Sequence, residues 1–154
     1  MKKENILNYV IGISGVLLVA LLGWVFTDMG MGWFDGLQKP MEWIPNSFIP
    51  IMWTIIYFVF ILYIVHLINK EKDNKRVIVL LVVNGLLNVL WCLIYFALNC
   101  LLGGQVVIIL NLIASVWLLR AICKTSELYS YILTIYPIWL SIATCLNLAV
   151  WILN

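Results

Sequence analysis

Five long apolar segments dominate the pattern of hydrophobic and polar positions along this chain. Each is 18 to 26 residues long and carries almost no charge. They cover residues 6–26, 48–68, 77–98, 106–123 and 128–153. At about 1.5 Å per helical residue, these lengths match the roughly 30 Å hydrocarbon core of a bilayer. Because lipid offers the backbone no hydrogen-bond partner, we predict an all-α integral membrane protein, a five-transmembrane-helix bundle forming one domain over residues 1–154.

The composition excludes an ordinary soluble domain. Apolar residues make up 65% of the chain and charged residues only 10%, whereas soluble domains average about 25% charged residues. The formal net charge is +2, and no basic patch lies away from the apolar segments. We therefore expect the lipid bilayer as a partner and no nucleic acid.

Lysine and arginine are distributed unevenly over the two sides of the predicted bundle. Counting alternate connections places eight of them on one side and only Lys39 on the other. The eight are Lys2, Lys3, Lys70, Lys72, Lys75, Arg76, Arg120 and Lys124. The positive-inside rule then places the N-terminus in the cytoplasm and the C-terminal Asn154 outside. Basic cytoplasmic loops of this kind favour a bacterial plasma membrane.

The connection between the first two predicted helices, residues 27–47, is far longer than the other three. A long loop in so compact a chain usually has a function. Its aromatic residues, prolines and single lysine predict a lid packed over the outer end of the bundle. The lid residues are Trp33, Lys39, Pro40, Trp43 and Pro45. The alternative is that the two tryptophans only anchor the loop at the membrane interface.

Polar and aromatic residues within the apolar segments indicate which helix faces point into the bundle, because polar groups facing lipid are costly. On the third segment, Asn84, Asn88, Trp91 and Tyr95 occupy positions i, i+4, i+7 and i+11, which form one helix face. The second and fifth segments carry similar stripes, and the fourth adds an isolated asparagine. The predicted ligand-binding residues are Trp53, Tyr57, Asn84, Asn88, Trp91, Tyr95, Asn111, Trp139, Ala143 and Asn147.

Together these residues predict a cavity in the outer half of the bundle, beneath the long loop. Aromatic walls, a few amide groups and no buried charge suit a large, flat, apolar ligand. In the alternative interpretation the aromatic residues are core packing and an interfacial belt, and the asparagines join neighbouring helices. The inner half of the bundle is expected to be closed by aliphatic residues, which leaves little room for a second opening.

Several kinds of chemistry lack the residues they need. No acidic or basic residue lies near the centre of a predicted helix, which argues against ion-coupled transport. His66 follows Trp53 by 13 residues, about 20 Å along the helix, and so does not share the predicted cavity. The four cysteines show no C-x-x-C spacing. We expect no metal site, no resident cofactor and no conventional hydrolase or transferase site.

Three runs of residues carry a resemblance to a known family. The first is WFDGLQKP from Trp33 to Pro40, followed by Trp43, Pro45, Phe48, Pro50, Trp53 and Tyr57. The others are LNVLW from Leu87 to Trp91 with Tyr95 and Phe96, and ATCLN from Ala143 to Asn147 with Trp139 and Trp151. In these runs, and in its length and number of spans, the chain resembles the translocator protein family. That family includes the bacterial tryptophan-rich sensory proteins and the mitochondrial peripheral benzodiazepine receptor.

The resemblance implies a five-helix bundle, commonly a homodimer, with a cavity under the first loop. In the family this cavity binds porphyrins, such as protoporphyrin IX and haem-type tetrapyrroles, and drugs of the isoquinoline carboxamide and benzodiazepine types. Carried over by position, its lining is Trp53, Asn84, Asn88, Trp91, Trp139, Ala143 and Asn147.

The chain also departs from the family pattern. Asn46 follows Pro45 where many relatives have a second proline, Phe34 replaces a frequent tyrosine, and Asn111 occupies a position that is acidic in several relatives. No basic residue follows Tyr136 to complete the sterol pattern of the animal members, so sterol binding is not expected.

Three functions remain open at this point. The first is a membrane receptor or sensor that binds porphyrins. The second is a light-dependent porphyrin-degrading enzyme, in which Trp53 and Trp139 would be the catalytic residues by exchanging an electron with the excited macrocycle. The third is a porphyrin transporter, which needs a second opening in the bundle.

Overall fold

The computed structural model describes residues 3–40, 44–45, 47–70 and 75–154. The helices are α1 (Lys3–Asp35), α2 (Phe48–Asn69), α3 (Lys75–Cys92), α4 (Leu101–Cys123), α5 (Glu127–Leu133) and α6 (Ile135–Leu153). A π-helical turn, Leu93–Ala97, continues α3, and α5 and α6 form one span. Among the described residues, five helical segments are long and apolar enough to cross a membrane, which confirms the predicted five-helix bundle.

The five spans form a closed ring of neighbouring helices. Helix α1 packs against α2, α3 and the π-helical turn, while α4 packs against α3 and α6. Helix α5 closes the ring by contacting both α2 and α4. The core between them includes several side chains with no or almost no exposed surface, namely Ile56, Tyr63, Ile108, Leu118, Leu140 and Val150.

Hydrogen bonds between distant residues define the two ends of the bundle. At one end, the Tyr9 hydroxyl donates to the side chain of Asn69, and Lys70 Nζ donates to the Thr125 carbonyl oxygen at 2.9 Å. We call this the N-terminal end. At the other, the Asn154 side chain exchanges two 3.0 Å hydrogen bonds with the backbone of Gln38. This C-terminal end therefore joins the last residue to the connection between α1 and α2.

The prediction of a loop over residues 27–47 is wrong in its first part, because residues 27–35 belong to α1. Glycines at positions 30 and 32 suggested a break, yet Gly30 is the point at which α1 packs directly on the backbone of the π-helical turn. A close contact of this kind offsets the weak helix propensity of glycine. The connection is shortened to residues 36–47, and Trp33 is a helical residue.

The predicted start of the fourth helix at residue 106 is also wrong, since α4 begins at Leu101. The chain reverses within residues 98–100, where Asn99 adopts a φ of 53°. The π-helical turn is closed by a 2.9 Å hydrogen bond from the Leu98 amide to the Leu93 carbonyl oxygen. Gly104 then packs against the Tyr95 ring with no room for a Cβ atom, which fixes that ring in place.

Candidate functional site

An aromatic cavity of about 610 Å³ lies in the half of the bundle nearer the C-terminal end. Helices α1, α2, α3 and α6 and the π-helical turn all contribute to its walls. It brings together eight of the ten residues predicted to bind a ligand, which are Trp53, Tyr57, Asn88, Trp91, Tyr95, Trp139, Ala143 and Asn147. This volume lies in the ordinary range for sites that hold drug-sized molecules.

The tryptophans of the aromatic cavity contact one another around its wall. The Trp53 ring lies 6.0 Å from that of Trp91 and 6.4 Å from that of Trp139, the latter at an interplanar angle of 86°. Tyr57 stacks on Trp53 at 5.8 Å, and Trp91 is followed at 6.0 Å by Tyr95. Both pairs are four residues apart in the sequence, Trp53 and Tyr57 on α2 and Trp91 and Tyr95 across the junction of α3 with the π-helical turn. The result is a continuous wall of ring faces and edges.

Four side chains in the lining of this cavity carry buried hydrogen-bond donors that have no partner among the described residues. They are the indole N–H groups of Trp91 and Trp139, the Tyr95 hydroxyl and the Asn147 amide nitrogen. All four side chains are buried, with Trp139 only 2% exposed. Leaving such groups unpaired costs about 1–3 kcal/mol each. The cavity therefore favours an aromatic ligand that brings acceptor oxygen or nitrogen atoms.

Two of the ten predicted residues lie outside the aromatic cavity. Asn111 is fully buried on α4, where its side-chain oxygen accepts a 3.2 Å hydrogen bond from the Tyr136 hydroxyl. Asn84 lies one turn before Asn88 on α3, and its amide nitrogen donates to the Leu80 carbonyl oxygen at 2.8 Å. Residues on one face of a helix lie at different depths in the membrane. Asn84 and Asn88 therefore share a face of α3 although only Asn88 lines the aromatic cavity.

Asn84 instead lines a second cavity, of about 720 Å³, between α1, α2 and α3 toward the N-terminal end. Its walls are mainly aliphatic, and we call it the aliphatic cavity. The expectation that aliphatic side chains close this half of the bundle is wrong, because they line a space rather than fill it. Tyr57 and Asn88 border both cavities, and the Asn88 amide donates a 3.1 Å hydrogen bond to the Tyr57 hydroxyl.

Comparison with known proteins identifies the family of this chain. The model of the TspO/MBR family matches residues 12–152. The chain belongs to the TspO/MBR family. This confirms the resemblance to tryptophan-rich sensory proteins and, with five apolar spans, an integral membrane protein.

Three individual relatives match most or nearly all of the chain. Tryptophan-rich protein TspO of Archaeoglobus fulgidus is 33% identical, over 97% of this chain and 99% of the relative. Protein CrtK of Rhodobacter capsulatus is 31% identical, over 79% of this chain and 78% of its own length. Tryptophan-rich protein TspO of Chlorobaculum tepidum is 28% identical, over 99% of each chain.

In this TspO/MBR family member, none of the predicted lid residues that the structure describes lines the aromatic cavity. Trp33 is partly buried, with its ring 6.5 Å from that of Tyr95. Lys39 Nζ lies 4.6 Å from the centre of the Phe34 ring and 3.9 Å from the Asp35 carboxylate. The remaining lid predictions concern Pro40, which is partly buried, Pro45, which is exposed, and Trp43, which lies outside the described residues.

Residues 27–35, which the sequence predicts as loop, form the last turns of α1. Met31, Phe34 and Asp35 line the aromatic cavity, and Phe34 is buried against Tyr95 and Phe96. Because the sequence predicts residues 27–35 as loop, it does not predict that these three residues line the cavity. The sequence did carry a signal for the longer helix, because the apolar pattern continues through Phe34 and the first proline of the chain is Pro40.

His66 lies on α2 toward the N-terminal end, where its ring is 4.7 Å from that of Tyr129. His66 therefore packs against Tyr129 between α2 and α5, and it does not line the aromatic cavity. In the part of the chain that the structure describes, no three His, Cys, Asp or Glu side chains are grouped closely enough to hold a metal ion.

Proposed function

We propose that this chain is a membrane receptor that binds porphyrins, such as protoporphyrin IX and haem-type tetrapyrroles, in the aromatic cavity. Drugs of the isoquinoline carboxamide and benzodiazepine types bind in the same place. The observation that carries the proposal is the combination of three contacting tryptophans with four unpaired donors in one cavity of about 610 Å³.

The two parts of the wall recognise different parts of such a ligand. A flat macrocycle stacks against Trp53 and meets Trp139 at its edge, and each favourable ring pair contributes about 0.5–1.5 kcal/mol beyond area burial. The Trp91, Trp139 and Asn147 donors pair with carboxylate or carbonyl oxygens at its periphery. Porphyrin carboxylates and carboxamide oxygens both meet this requirement, which is why one cavity suits both ligand classes.

Competition between these two classes tests the proposal. Titrating the purified protein into protoporphyrin IX is expected to shift the porphyrin absorption bands in a saturable manner, and excess isoquinoline carboxamide is expected to reverse the shift. Bound porphyrin that the carboxamide does not displace would contradict a shared cavity.

The Asn147→Leu substitution isolates the contribution of the donors. Leucine keeps the volume of the side chain but removes an N–H donor that has no partner among the described residues. Affinity for protoporphyrin IX is expected to fall about tenfold, as for the loss of one hydrogen bond to a charged oxygen. The same titration on Asn84→Leu, a buried asparagine of α3 outside the lining of the aromatic cavity, serves as the control. Equal affinities of the two variants for protoporphyrin IX would show that Asn147 does not bind the ligand.

A light-dependent porphyrin-degrading enzyme is the second candidate, favoured by the direct contact between the Trp53 and Trp139 rings. An excited porphyrin accepts one electron from an indole, and dioxygen then takes that electron from the porphyrin anion to give superoxide. The oxidised indole then regains an electron from the macrocycle, and the resulting porphyrin cation radical combines with the superoxide to form a carbon–oxygen bond. Illumination in air is expected to bleach the bound porphyrin faster than free porphyrin with an unrelated membrane protein. Identical products and rates would eliminate this function.

The orientation of the protein in a bacterial plasma membrane is part of the same proposal, with the aromatic cavity opening toward the outside. Cys100 and Cys123 are both exposed and flank the two ends of α4. A membrane-impermeant maleimide applied to intact cells is expected to label Cys100 and not Cys123. Labelling therefore disappears in Cys100→Ser and persists in Cys123→Ser, and the reverse pattern would invert the orientation.

A further inference from the structure

The aliphatic cavity has features that the proposed porphyrin site does not explain. It follows α1 from Asn8 to Val19 and α3 from Ile78 to Asn88. At 1.5 Å per residue these stretches are about 15 Å long, half the thickness of the hydrocarbon core. The cavity is therefore elongated along the helices and spans one leaflet.

The side of the cavity between α1 and α3 is open to the lipid. Four of its lining residues, Ile11, Ile78, Val82 and Leu86, are each more than half exposed. Toward the centre of the bundle its depth is set by buried residues, including Ile56 at 0% and Tyr136 at 3% exposure. A molecule dissolved in the bilayer can therefore enter sideways and leave the lipid.

Apart from Tyr136, whose hydroxyl donates to Asn111, the polar side chains that line this space lie toward its two ends. Asn8 lies at the N-terminal end. At the deep end, the Asn84 and Asn88 side-chain oxygens are buried and have no hydrogen-bond partner among the described residues. The Tyr57 hydroxyl, which accepts from Asn88, keeps its own proton to donate. Two free acceptors and one donor together match a hydroxyl group, which both donates and accepts.

We propose that the aliphatic cavity is a second binding site, for a single-chain amphiphile that carries a hydroxyl group about 15 Å from its polar head. The head lies at the membrane surface near Asn8, and the chain runs between α1 and α3. The hydroxyl donates to the side-chain oxygen of Asn84. Hydroxylated fatty acids have this chemistry.

Two substitutions test this site without touching the aromatic cavity, because neither residue lines it. Asn84→Leu removes the buried acceptor at similar volume. Gly15→Leu fills the cavity from α1, and a Cβ atom at Gly15 meets nothing within 4 Å, so the change is tolerated. Gly32→Leu is the matched control, since Gly32 also lies on α1, has equal space around it and lines neither cavity.

The experiment is equilibrium binding of tritiated hydroxystearic acid, with its hydroxyl two thirds of the way along the chain, to the full-length protein in nanodiscs. Unlabelled hydroxystearic acid is expected to compete about three- to tenfold better than stearic acid, as for one added hydrogen bond. That preference is expected to disappear in Asn84→Leu, and saturable binding is expected to disappear in Gly15→Leu and to remain in Gly32→Leu.

Equal competition by the two acids, or binding that Gly15→Leu leaves unchanged, would show partition into the lipid and overturn the proposal. Disulfide cross-linking of the Leu86→Cys variant in membranes tests whether a second copy of the chain covers the opening between α1 and α3, since Leu86 lines the cavity and is exposed. A cross-link between two copies would also overturn the proposal. Protoporphyrin IX binding measured on both variants is expected to remain within twofold of the original protein. Failure of the amphiphile site is thus separable from failure of the porphyrin site.

Discussion

Replacing Trp53 by alanine is expected to weaken binding of protoporphyrin IX by about thirtyfold or more. Trp53 is the only cavity residue whose ring contacts Tyr57, Trp91 and Trp139 among the ring pairs of the described residues. Removing it deletes the stacking surface and separates the remaining rings. Truncating a central tryptophan of a binding site typically reduces the binding free energy by about 2 kcal/mol or more, which corresponds to a thirtyfold weaker affinity. The measurement is the dissociation constant from absorption titration in the dark.

Trp117→Ala provides the matched control for this prediction. Trp117 is 56% exposed on α4 and lines neither cavity. The variant loses the same number of indole atoms, so nonspecific porphyrin adsorption to tryptophan affects both variants equally. Its affinity is expected to stay within twofold of the original protein. Similar losses in Trp53→Ala and Trp117→Ala would place the porphyrin on the outer surface.

Replacing Gly30 by alanine is expected to destabilise the bundle by about 3 kcal/mol, at the upper end of the overpacking range. A Cβ atom at this position would overlap the carbonyl group of Phe96. The obstacle is backbone, which cannot rotate away as a flexible side chain would. Helix α1 therefore moves off the π-helical turn, and the contact of Phe34 with Phe96 is lost with it. A lower midpoint of thermal unfolding in detergent would report this change.

Gly32→Ala is the control two residues further along the same helix. No atom lies within 4 Å of a Cβ built at Gly32, so the added methyl group meets no obstacle. Alanine also favours the helix by about 1 kcal/mol over glycine. The expected midpoint is equal to or higher than that of the original protein. If both variants melt at the same temperature, the close contact between α1 and the π-helical turn does not stabilise the fold.

The fold and most of the aromatic cavity could be predicted from the sequence because both depend on simple periodicities. Apolar length alone determines the number of spans. The i, i+4 and i+7 spacing of Asn84, Asn88 and Trp91 identifies one inward face of α3. Periodicity gives the direction of a side chain but leaves its depth along the bundle open. The pattern therefore predicts Asn84 in the aromatic cavity, although it lines the aliphatic one.

Other features depend on contacts between distant segments. The apolar pattern hints at the end of α1, but the contact that allows a glycine there joins Gly30 to Phe96, which is 66 positions away in the sequence. The unpaired donors of Trp91 and Trp139 also required coordinates, since an indole N–H finds a partner in some folds and lacks one in others. The aliphatic cavity arises from imperfect packing of apolar side chains, for which the sequence pattern carries no signal.

The account rests on the aromatic cavity as a porphyrin site, and the most direct test is tryptophan fluorescence of the purified protein during titration with protoporphyrin IX in the dark. Of the eight tryptophans in the chain, Trp24, Trp53, Trp91 and Trp139 line this cavity. We predict quenching that saturates at one porphyrin per chain and is strongly weakened in Trp53→Ala. Quenching that rises linearly without saturation, and equally in Trp53→Ala, would show porphyrin dissolving in the micelle and contradict the site.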